Sequence, residues 1–466
     1  MNRLIIISNR VQPPTGAGDG SQGGLAVALS AALREYSGLW FGWSGEITEE
    51  FTGHINFQRN DGVTTATIDL EEQDLDEYYN GYANRTLWPL FHYRVDLAEY
   101  ERQFAGGYER VNTRFAETVG PLIEEEDLVW VHDYQLIPLG RELRKRGCRN
   151  LIGFFLHIPW PPTPLLLSLP SHRELVDSLF DYDVIGFQTT DWLESFLHYA
   201  THEMGATVEE NGDVVVGERR VRAIACPIGI DAENFVALAH GDIARETCVR
   251  MRTSATGRAM IIGVDRLDYS KGLEERFLGY ERFLSAHPER AGHVFLLQIA
   301  PPSRGEVQSY QEIRGSLDSL SGRINGAFAD IDWVPIRYVN RGYSRAVLAG
   351  AYRAARVGLV TPLRDGMNLV AKEYVAAQDP EDPGVLILSS FAGAAEQLTE
   401  AVLVNPHSAE EICDALEQAL TMPLAERKRR WRALMDNVMR EDVMWWRRTF
   451  TAALTAFSRP SVADAA

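Results

Sequence analysis

The chain has 466 residues, of which 45% are hydrophobic and 24% are charged, a composition that is ordinary for a soluble globular protein. This length predicts two or three domains rather than a single core. The formal net charge is −19, from 46 Lys and Arg against 65 Asp and Glu, so the surface as a whole disfavours nucleic acid and anionic membranes. An anionic ligand would therefore need a local basic pocket.

The cysteines and the first residues bear on the compartment. Cys148, Cys226, Cys248 and Cys413 are scattered without a CxxC pair, which indicates reduced thiols and a cytoplasmic location. The apolar run near the N-terminus is too short for the core of a signal peptide. Nothing in the sequence approaches 18 consecutive apolar residues, so we expect no membrane span.

Short apolar runs alternate with helical patterns along most of the chain. The runs are Leu4–Ile7, Leu128–Val131, Ile152–Leu156, Val184–Phe187, Met260–Val264, Val294–Ile299, Val357–Val360 and Val385–Leu388. Because they are apolar throughout, they are typical of parallel strands covered on both faces. The alternation predicts an α/β fold with doubly wound parallel sheets.

A Pro- and Gly-containing turn at 227–231 precedes a polar helical stretch and predicts a domain break. We expect one domain at 1–233, a second at 234–440, and a helix at 441–458 that packs back on the first domain. Apolar residues at i, i+3, i+4 and i+7 predict an amphipathic helix just before it. They are Trp431, Leu434, Met435 and Val438.

The segment from Val357 to Glu373 is the most informative in the chain. After its apolar run and a Pro turn, Asp365 and Gly366 precede good helix formers. A helix that starts there would direct free N–H groups at phosphate or sugar oxygens, and Glu373 could receive hydroxyl groups of the same ligand. This combination favours a sugar-nucleotide site, and an ordinary βα unit with a solvated acid is the alternative.

Cations follow several of the predicted strands. Arg266 and Lys271 are five residues apart in one turn, where a planar fork and a point charge could converge on a diphosphate. Arg10 and Arg304 also follow strands, and together they could capture a phosphate monoester. Solvated loop cations or structural ion pairs are the alternatives.

Aromatic and histidine residues add further candidates. Tyr79 and Trp88 lie in a segment rich in aromatics and amides that could hold a sugar ring, although core packing is the default for such residues. His132, Asp133 and His157 lie just past successive strands, where ligands of α/β sheets bind.

A glycine-rich loop lies near the N-terminus, where Gly18, Gly20 and Gly23 match G-x-G-x-x-G. The match lies about ten residues past the first strand rather than directly after it, which argues against a dinucleotide site. We expect instead a loop that closes over a substrate, with Gly23 and Gly24 at a helix start. A surface loop without function is the alternative.

Motifs for other chemistries are missing from the sequence. His198 and His202 lie four residues apart beside Glu203, but no H-E-x-x-H occurs. P-loop and serine-hydrolase motifs are absent as well. We therefore expect neither a metal nor a cofactor.

The order of these motifs resembles the trehalose-6-phosphate synthase family, glycosyltransferase family 20, from near residue 3 to about residue 450. The segments that carry the resemblance are Ser8–Arg10, Gly23–Leu25, Trp40–Gly45, Tyr79 with Trp88, Trp130–Tyr134, His157–Pro159, Asp265–Gly272 and Arg364–Leu369. The resemblance implies a GT-B fold, in which two Rossmann-like domains face a central cleft. It also implies retaining transfer of glucose from UDP-glucose to glucose 6-phosphate, giving α,α-trehalose 6-phosphate and UDP.

The resemblance implies roles for the matched residues only. The donor set is Gly23, Gly24, Arg266, Lys271, Tyr343, Asp365, Gly366, Met367, Asn368, Leu369 and Glu373. The acceptor set is Arg10, Tyr79, Trp88, Asp133 and Arg304. The residues expected to act in catalysis are Asp133, His157, Arg266 and Lys271.

Within these sets, Arg266 and Lys271 would hold the diphosphate, and Glu373 would bind the ribose hydroxyls. Asp133 would lie between the two sugars, and His157 would contact the donor glucose. Tyr343 departs from the family in the segment near the base, so UDP, GDP and ADP stay open as donor nucleotides.

The resemblance offers no carboxylate nucleophile of the kind that most retaining glycosidases use. We therefore expect a metal-independent front-face mechanism. The alternatives are a pseudo-glycosyltransferase that couples cyclitols, a non-catalytic sugar-phosphate sensor and a nicotinamide oxidoreductase. A homo-oligomer of two or four copies is also possible.

Overall fold

The computed structural model of the chain describes residues 3–11, 29, 33, 38–60, 63–303 and 307–458. The described residues fall into two compact units. The first unit comprises those up to residue 227 and those from 444 onward, and the second comprises 228–443. The chain thus leaves the first unit after Pro227 and returns to it after Val443.

The described part of the first unit contains one sheet of ten strands. In chain order they are β1 Leu4–Arg10, β2 Leu39–Thr48, β3 Asn56–Asn60, β4 Val63–Glu71, β5 Leu128–His132, β6 Ile152–Phe155, β7 Val184–Phe187, β8 Thr207–Val208, β9 Asp213–Val216 and β10 Arg219–Ala225. Their order across the sheet is β3-β4-β2-β1-β5-β6-β7-β10-β9-β8. The central strands from β4 to β10 pair in parallel, and β3, β9 and β8 pair antiparallel at the two edges.

The described part of the second unit contains a sheet of six strands that all pair in parallel. They are β11 Ala259–Val264, β12 Val294–Ile299, β13 Ile336–Val339, β14 Val357–Val360, β15 Val385–Ser389 and β16 Val402–Val404. Their order is β13-β12-β11-β14-β15-β16, which is the 3-2-1-4-5-6 order of the Rossmann fold.

Helices connect the strands in both units. Those in or returning to the first unit are Glu72–Asp74, the π-helix Leu75–Leu87, Trp88–Phe91, Val95–Leu97, Arg102–Val119, Gly120–Leu122, Tyr134–Leu136, Leu139–Lys145, Thr163–Leu166, His172–Leu179, Thr190–Met204 and Val443–Ala456. Those in the second are Ala232–Ala239, Asp242–Ala255, Tyr269–Lys271, Leu273–Ala286, Pro288–Arg290, Gln308–Phe328, Arg345–Ala354, Leu369–Ala377, Ala394–Gln397, Ala409–Thr421 and Leu424–Arg440. Within the described residues, every helix is too short or too polar to cross a lipid bilayer.

The predicted α/β class with doubly wound parallel sheets is confirmed. Each of the eight apolar runs singled out in the sequence forms a strand, and each pairs in parallel with its neighbours. Their side chains are buried on both faces of the sheet because helices cover each side, which explains why the runs are apolar rather than alternating.

Each sheet contains one point at which the strand order reverses direction. In the first unit the order reverses between the neighbours β1 and β5, and in the second between β11 and β14. At such a reversal the loops after the two strands run to opposite faces and leave a crevice at the carboxyl ends. The loops that follow these four strands are therefore the places to look for ligand-binding residues.

The C-terminal helix, Val443–Ala456, packs on the sheet of the first unit, as the sequence predicts. Phe450 stacks on Trp130 with ring centroids 4.6 Å apart and planes 8° apart, and Trp446 lies 4.7 Å from the same ring. The strand glycines Gly153 and Gly186 make room for it, because a Cβ on either residue would lie within 3 Å of the Phe450 ring. The aromatic rings of this helix therefore pack directly against the backbone of the two glycines, and this packing holds the helix in place.

Gly153→Ala is expected to destabilise the first unit by about 1–3 kcal/mol, because overpacking a filled core forces neighbours to shift. The added Cβ would lie 2.5 Å from Phe450. The matched control is Gly315→Ala on the exposed side of helix Gln308–Phe328, where a Cβ meets nothing within 4 Å. It should stabilise by about 0.5–1 kcal/mol through helix propensity. Urea unfolding measures both, and equal effects would contradict the packing argument.

Candidate active site

The end of β1 gathers an arginine and two aromatic rings. Arg10 is the last residue of β1 and lies in register with Trp43 of β2, with its guanidinium 5.6 Å from the Trp43 ring centroid. The Tyr79 ring packs edge-on against Trp43, with the two ring centroids 5.8 Å apart. Gly45 has φ +97°, and a Cβ there would lie 2.3 Å from the Arg10 guanidinium. Arg10 is exposed, and among the described residues no carboxylate forms an ion pair with it.

Trp88 is placed deeper in the first unit than Arg10 and Tyr79. Its side chain is 4% exposed, and its ring lies 5.6 Å from the Tyr134 ring, which follows β5. The Tyr134 hydroxyl donates to Asn84 Oδ1 at 2.9 Å, so the loop after β5 is bonded to the π-helix that carries Tyr79. Three of the predicted acceptor residues thus belong to adjoining elements of one unit.

Asp133, at the carboxyl end of β5, has a backbone conformation that only glycine adopts readily. Its φ is 76° and its ψ is 168°. Such a conformation costs about 1–3 kcal/mol in other residues and persists only where the surroundings impose it. The Asp133 N–H donates to Phe155 O at 2.8 Å, and the carboxylate Oδ1 accepts from the His157 N–H at 3.1 Å. Strain of this kind is typical of functional sites.

Both ring nitrogens of His157 have hydrogen-bond partners. Gln188 Nε2 lies 3.2 Å from His157 Nδ1, and His132 Nδ1 lies 3.1 Å from His157 Nε2. Burial lowers the pKa of His157 to about 3 and lowers the pKa of His132 well below its ordinary value. Both imidazoles are therefore neutral at neutral pH, so neither serves as a cationic acid.

Sequence reasoning missed Gln188. It follows β7 directly, as Asp133 follows β5, so the strand-end rule that selected the other candidates applied to it as well.

The loop after β11 begins with a buried ion pair. Arg276 is fully buried, and its Nη1 lies 2.5 Å from Asp265 Oδ2. The same guanidinium donates to Thr361 Oγ1 at 3.0 Å and to Gln298 Oε1 at 2.8 Å, which joins the ends of β11, β12 and β14. Burial raises the pKa of Asp265, and Arg276 opposes that rise. The side chain of the next residue, Arg266, is exposed.

Lys271 and Asp365 come together from the two loops at the reversal point of the second unit. Lys271 Nζ donates to Asp365 Oδ2 at 2.6 Å, and Asn368 Nδ2 donates to the same oxygen at 3.1 Å. Lys271 is 7% exposed, so its charged group has little contact with solvent. Gly272 follows with φ +63°, and a Cβ there would lie 2.2 Å from Thr361 O, so a side chain would separate the two loops.

The helix after β14 begins at Leu369, and the expected start at Asp365 is wrong. Asp365 instead bridges to the loop after β15, with its N–H donating to Phe391 O at 3.2 Å and its carbonyl accepting from Gly393 N at 3.1 Å. Asn368 then takes the left-handed conformation, with φ 74° and ψ 79°. Gly366 and Met367 therefore lie in a buried non-helical turn, and the free amides of the helix begin at Leu369.

Glu373 lies one turn into this helix and is nearly enclosed, with 12% of its side chain exposed. Arg345 Nε lies 3.8 Å from Glu373 Oε1. Burial raises the pKa of Glu373 to about 7, although Arg345 acts in the opposite direction. Tyr343, in the loop after β13, is partly exposed, and its hydroxyl accepts from Arg341 Nε at 2.8 Å.

The preceding residue, Lys372, was also missed by sequence reasoning. Its Nζ is fully buried and donates to Ile228 O and to Gln397 Oε1, each at 2.7 Å. Gln397 Nε2 in turn donates to Glu441 Oε2. Burial lowers the pKa of Lys372 to about 7. This clasp joins the helix that carries Glu373 to both ends of the second unit.

The predicted site residues that the structure describes thus form two groups, each within one unit. The acceptor residues Arg10, Tyr79, Trp88 and Asp133 lie at the β1–β5 reversal of the first unit, together with His157. Most of the described donor residues follow β11 or β14, at the reversal point of the second unit, and Tyr343 follows the edge strand β13. Gly23, Gly24 and Arg304 lie outside the described residues.

This chain is similar to known proteins over nearly its whole length. Residues 6–456 match the model of glycosyltransferase family 20. The chain is similar to a trehalose-6-phosphate synthase of Sinorhizobium fredii, with 49% identity over 98% of this chain and 99% of the relative.

Two solved structures are also similar to this chain, which confirms the GT-B architecture expected from the sequence. One is an α,α-trehalose-phosphate synthase of Burkholderia xenovorans in complex with glucose 6-phosphate, with TM-score 0.94, 48% identity and coverage of 98% of this chain and 100% of that one. The other is an E. coli enzyme bound with UDP-2-fluoro glucose, with TM-score 0.94, 44% identity and the same coverage. The chain therefore belongs to glycosyltransferase family 20.

Proposed function

We propose that this protein moves glucose from UDP-glucose to glucose 6-phosphate and produces α,α-trehalose 6-phosphate and UDP. The observation that carries the proposal is the cluster of Lys271, Asp365 and Asn368 at the β11–β14 reversal, directly before a helix start. The similar Burkholderia and E. coli structures, which hold glucose 6-phosphate and a UDP-glucose analogue, support the same two substrates.

The donor would bind to the second unit. Among the described residues, Lys271 Nζ donates one bond, to Asp365, and together with Arg266 and the start of helix Leu369–Ala377 it would attract the diphosphate. Asp365 would accept sugar hydroxyls. Glu373 would accept ribose hydroxyls, and Tyr343 would lie near the base.

The acceptor would bind mainly to residues of the first unit. The exposed guanidinium of Arg10 suits a phosphate monoester, and Arg304 would add a second cation. Tyr79 and Trp88 would contact the sugar ring. Asp133, whose carboxylate is oriented by the His157 N–H, would lie between the two sugars.

We propose a front-face mechanism for the transfer. The acceptor hydroxyl oxygen bonds to C1 of the donor glucose on the face from which the diphosphate leaves, the C1–O bond to the diphosphate breaks, and the hydroxyl proton passes to the departing phosphate oxygen. The protein would position the substrates and neutralise the leaving group. Because Lys271 and Arg266 supply the neutralising charge, this route needs no divalent metal.

The test is incubation of the full chain with UDP-, GDP- or ADP-glucose, with and without glucose 6-phosphate. We expect UDP release that depends on the acceptor, and a product whose two anomeric protons both have the α coupling in NMR. Binding of both substrates without nucleotide release would indicate a sensor instead. Turnover with cyclitol substrates alone would indicate a pseudo-glycosyltransferase.

Arg266→Ala is expected to lower kcat by about 100-fold, because one of the charges on the leaving diphosphate is removed. The affinity for glucose 6-phosphate should change little, since the acceptor residues that the structure describes, Arg10, Tyr79, Trp88 and Asp133, lie in the other unit. Steady-state kinetics and calorimetry measure the two quantities. Arg323→Ala is the control, because that exposed residue pairs only with the surface residue Glu281 among the described residues. Equal losses of turnover and acceptor binding would refute the role of Arg266.

A cytoplasmic location and a homo-oligomer of two or four copies stay predictions. Light scattering after size exclusion measures the second.

A further inference from the structure

The buried imidazole of His132 takes no part in the reaction proposed above. It is the last residue of β5, has no exposed surface and lies directly before Asp133. We propose that His132 is a positioning residue, whose Nδ1 lone pair fixes the ring of His157 and thereby the strained turn at Asp133. This inference rests on the proposed function, because Asp133 and His157 belong to its site.

Hydrogen-bond partners determine where the protons of the pair lie. Gln188 donates its amide N–H to His157 Nδ1, so that nitrogen carries no proton. The proton of the neutral His157 ring then lies on Nε2, 3.1 Å from His132 Nδ1. His132 must accept this bond, and its own proton lies on Nε2. Burial keeps both rings neutral, as their lowered pKa values indicate.

This arrangement leaves one buried polar group of His132 without a hydrogen bond among the described residues, which is energetically unfavourable. Its Nε2–H is buried and, among the described residues, has no hydrogen-bond acceptor. The ring instead lies 4.6 Å from that of Trp130 and 6.1 Å from that of Trp446. An apolar side chain of the same size would fill the space without leaving a polar group unsatisfied. The lone pair of Nδ1 is therefore the property that distinguishes His132 from such a residue.

The effect of this bond reaches Asp133 through His157. With both ring nitrogens held, His157 is fixed from two sides, and its backbone N–H donates to Asp133 Oδ1 at 3.1 Å. Asp133 also donates its own N–H to Phe155 O. One of these bonds is made by the backbone of Asp133 and the other by its carboxylate, and together they hold the residue at φ 76°, a backbone conformation that it would otherwise leave.

The experiment compares His132→Asn, His132→Gln and His132→Leu in the full chain. An Asn amide places its carbonyl oxygen near the former Nδ1, whereas a Gln amide reaches the former Nε2. We expect His132→Asn to keep kcat within about threefold of wild type, and His132→Gln and His132→Leu to lower it by about 10- to 100-fold, as a misplaced catalytic group does. The KM values should change by less than about twofold in all three, since no substrate contact is removed. Activity of the Gln and Leu variants at the level of Asn would overturn the proposal.

A second measurement does not depend on activity or on the folding of variants. Nitrogen NMR of wild-type protein labelled with ¹⁵N-histidine should show His132 and His157 both protonated at Nε2 and both bare at Nδ1. A protonated Nδ1 on either ring would overturn the proposal. A wild-type protein that fails to release nucleotide but has this tautomer pair would refute the proposed function and leave the positioning of His157 standing.

Discussion

Replacing Lys271 by Met is expected to lower kcat for UDP release by about 100- to 1,000-fold, the loss typical of removing one preorganised group that stabilises developing charge. Lys271 is 7% exposed, so its charge acts on the diphosphate with little screening by water. The substitution keeps most of the side-chain volume and leaves Asp365 its second donor, Asn368. The loss should therefore appear in turnover rather than in folding.

Two further variants make the Lys271 result specific. Lys271→Arg keeps the charge but changes the geometry of the bond to Asp365, so partial activity is expected. Lys428→Met removes a lysine that pairs with the exposed Glu381 and should leave kcat unchanged. Steady-state kinetics at saturating substrates measure all three. A Lys271→Met enzyme with normal kcat would contradict the proposed neutralisation of the leaving group.

The affinity for UDP-glucose is expected to fall by about tenfold between pH 8 and pH 6, because burial raises the pKa of Glu373 to about 7. Above this pKa the ionised carboxylate can accept both ribose hydroxyls, and below it the protonated acid loses part of that capacity. Calorimetry with UDP-glucose alone avoids the titrating phosphate of glucose 6-phosphate. The free protein should follow the opposite trend in stability. The raised pKa favours the folded state at low pH, and this contribution is lost as the pH rises towards about 7.

Glu373→Gln should remove this pH dependence and weaken binding at pH 8 by about 10- to 100-fold, the worth of charged hydrogen bonds. Lys372→Met is the matched control, because Lys372 is the neighbouring residue and burial also brings its pKa to about 7. That variant should keep the pH profile of the wild type. A profile that persists in Glu373→Gln, or disappears in Lys372→Met, would assign the titration to a different group.

Much of the fold could be predicted from sequence, since buried parallel strands produce continuous apolar runs. The strand β10, which sequence reasoning missed, lacks this signal. β10 carries Arg219, Arg220 and Arg222, which form ion pairs with Asp177, Glu209 and Asp213. β2 contains two tryptophans and two glycines within seven residues, a composition that favoured its interpretation as a motif.

The candidate site could be predicted in part, because its residues follow strands. Sequence could not predict the positive φ of Asp133 or of Asn368, since both depend on tertiary contacts that local propensity does not contain. The start of helix Leu369–Ala377 was placed too early for the same reason, because the bridge between Asp365 and the loop after β15 stops the helix from extending. The bonds of His132 and Lys372 depend on neighbours distant in sequence, so their roles required the structure.

The backbone bond from Val443 N to Ile230 O, 3.0 Å long, brings together the two ends of residues 228–443, which the Lys372 clasp also joins. In topological terms this stretch is an insertion whose entry and exit points are adjacent. Because its two ends are adjacent, we expect that this stretch can be expressed as a single cassette, or circularly permuted with a short linker, without stretching its backbone. With such a cassette, binding of the nucleotide sugar would be measured separately from glycosyl transfer.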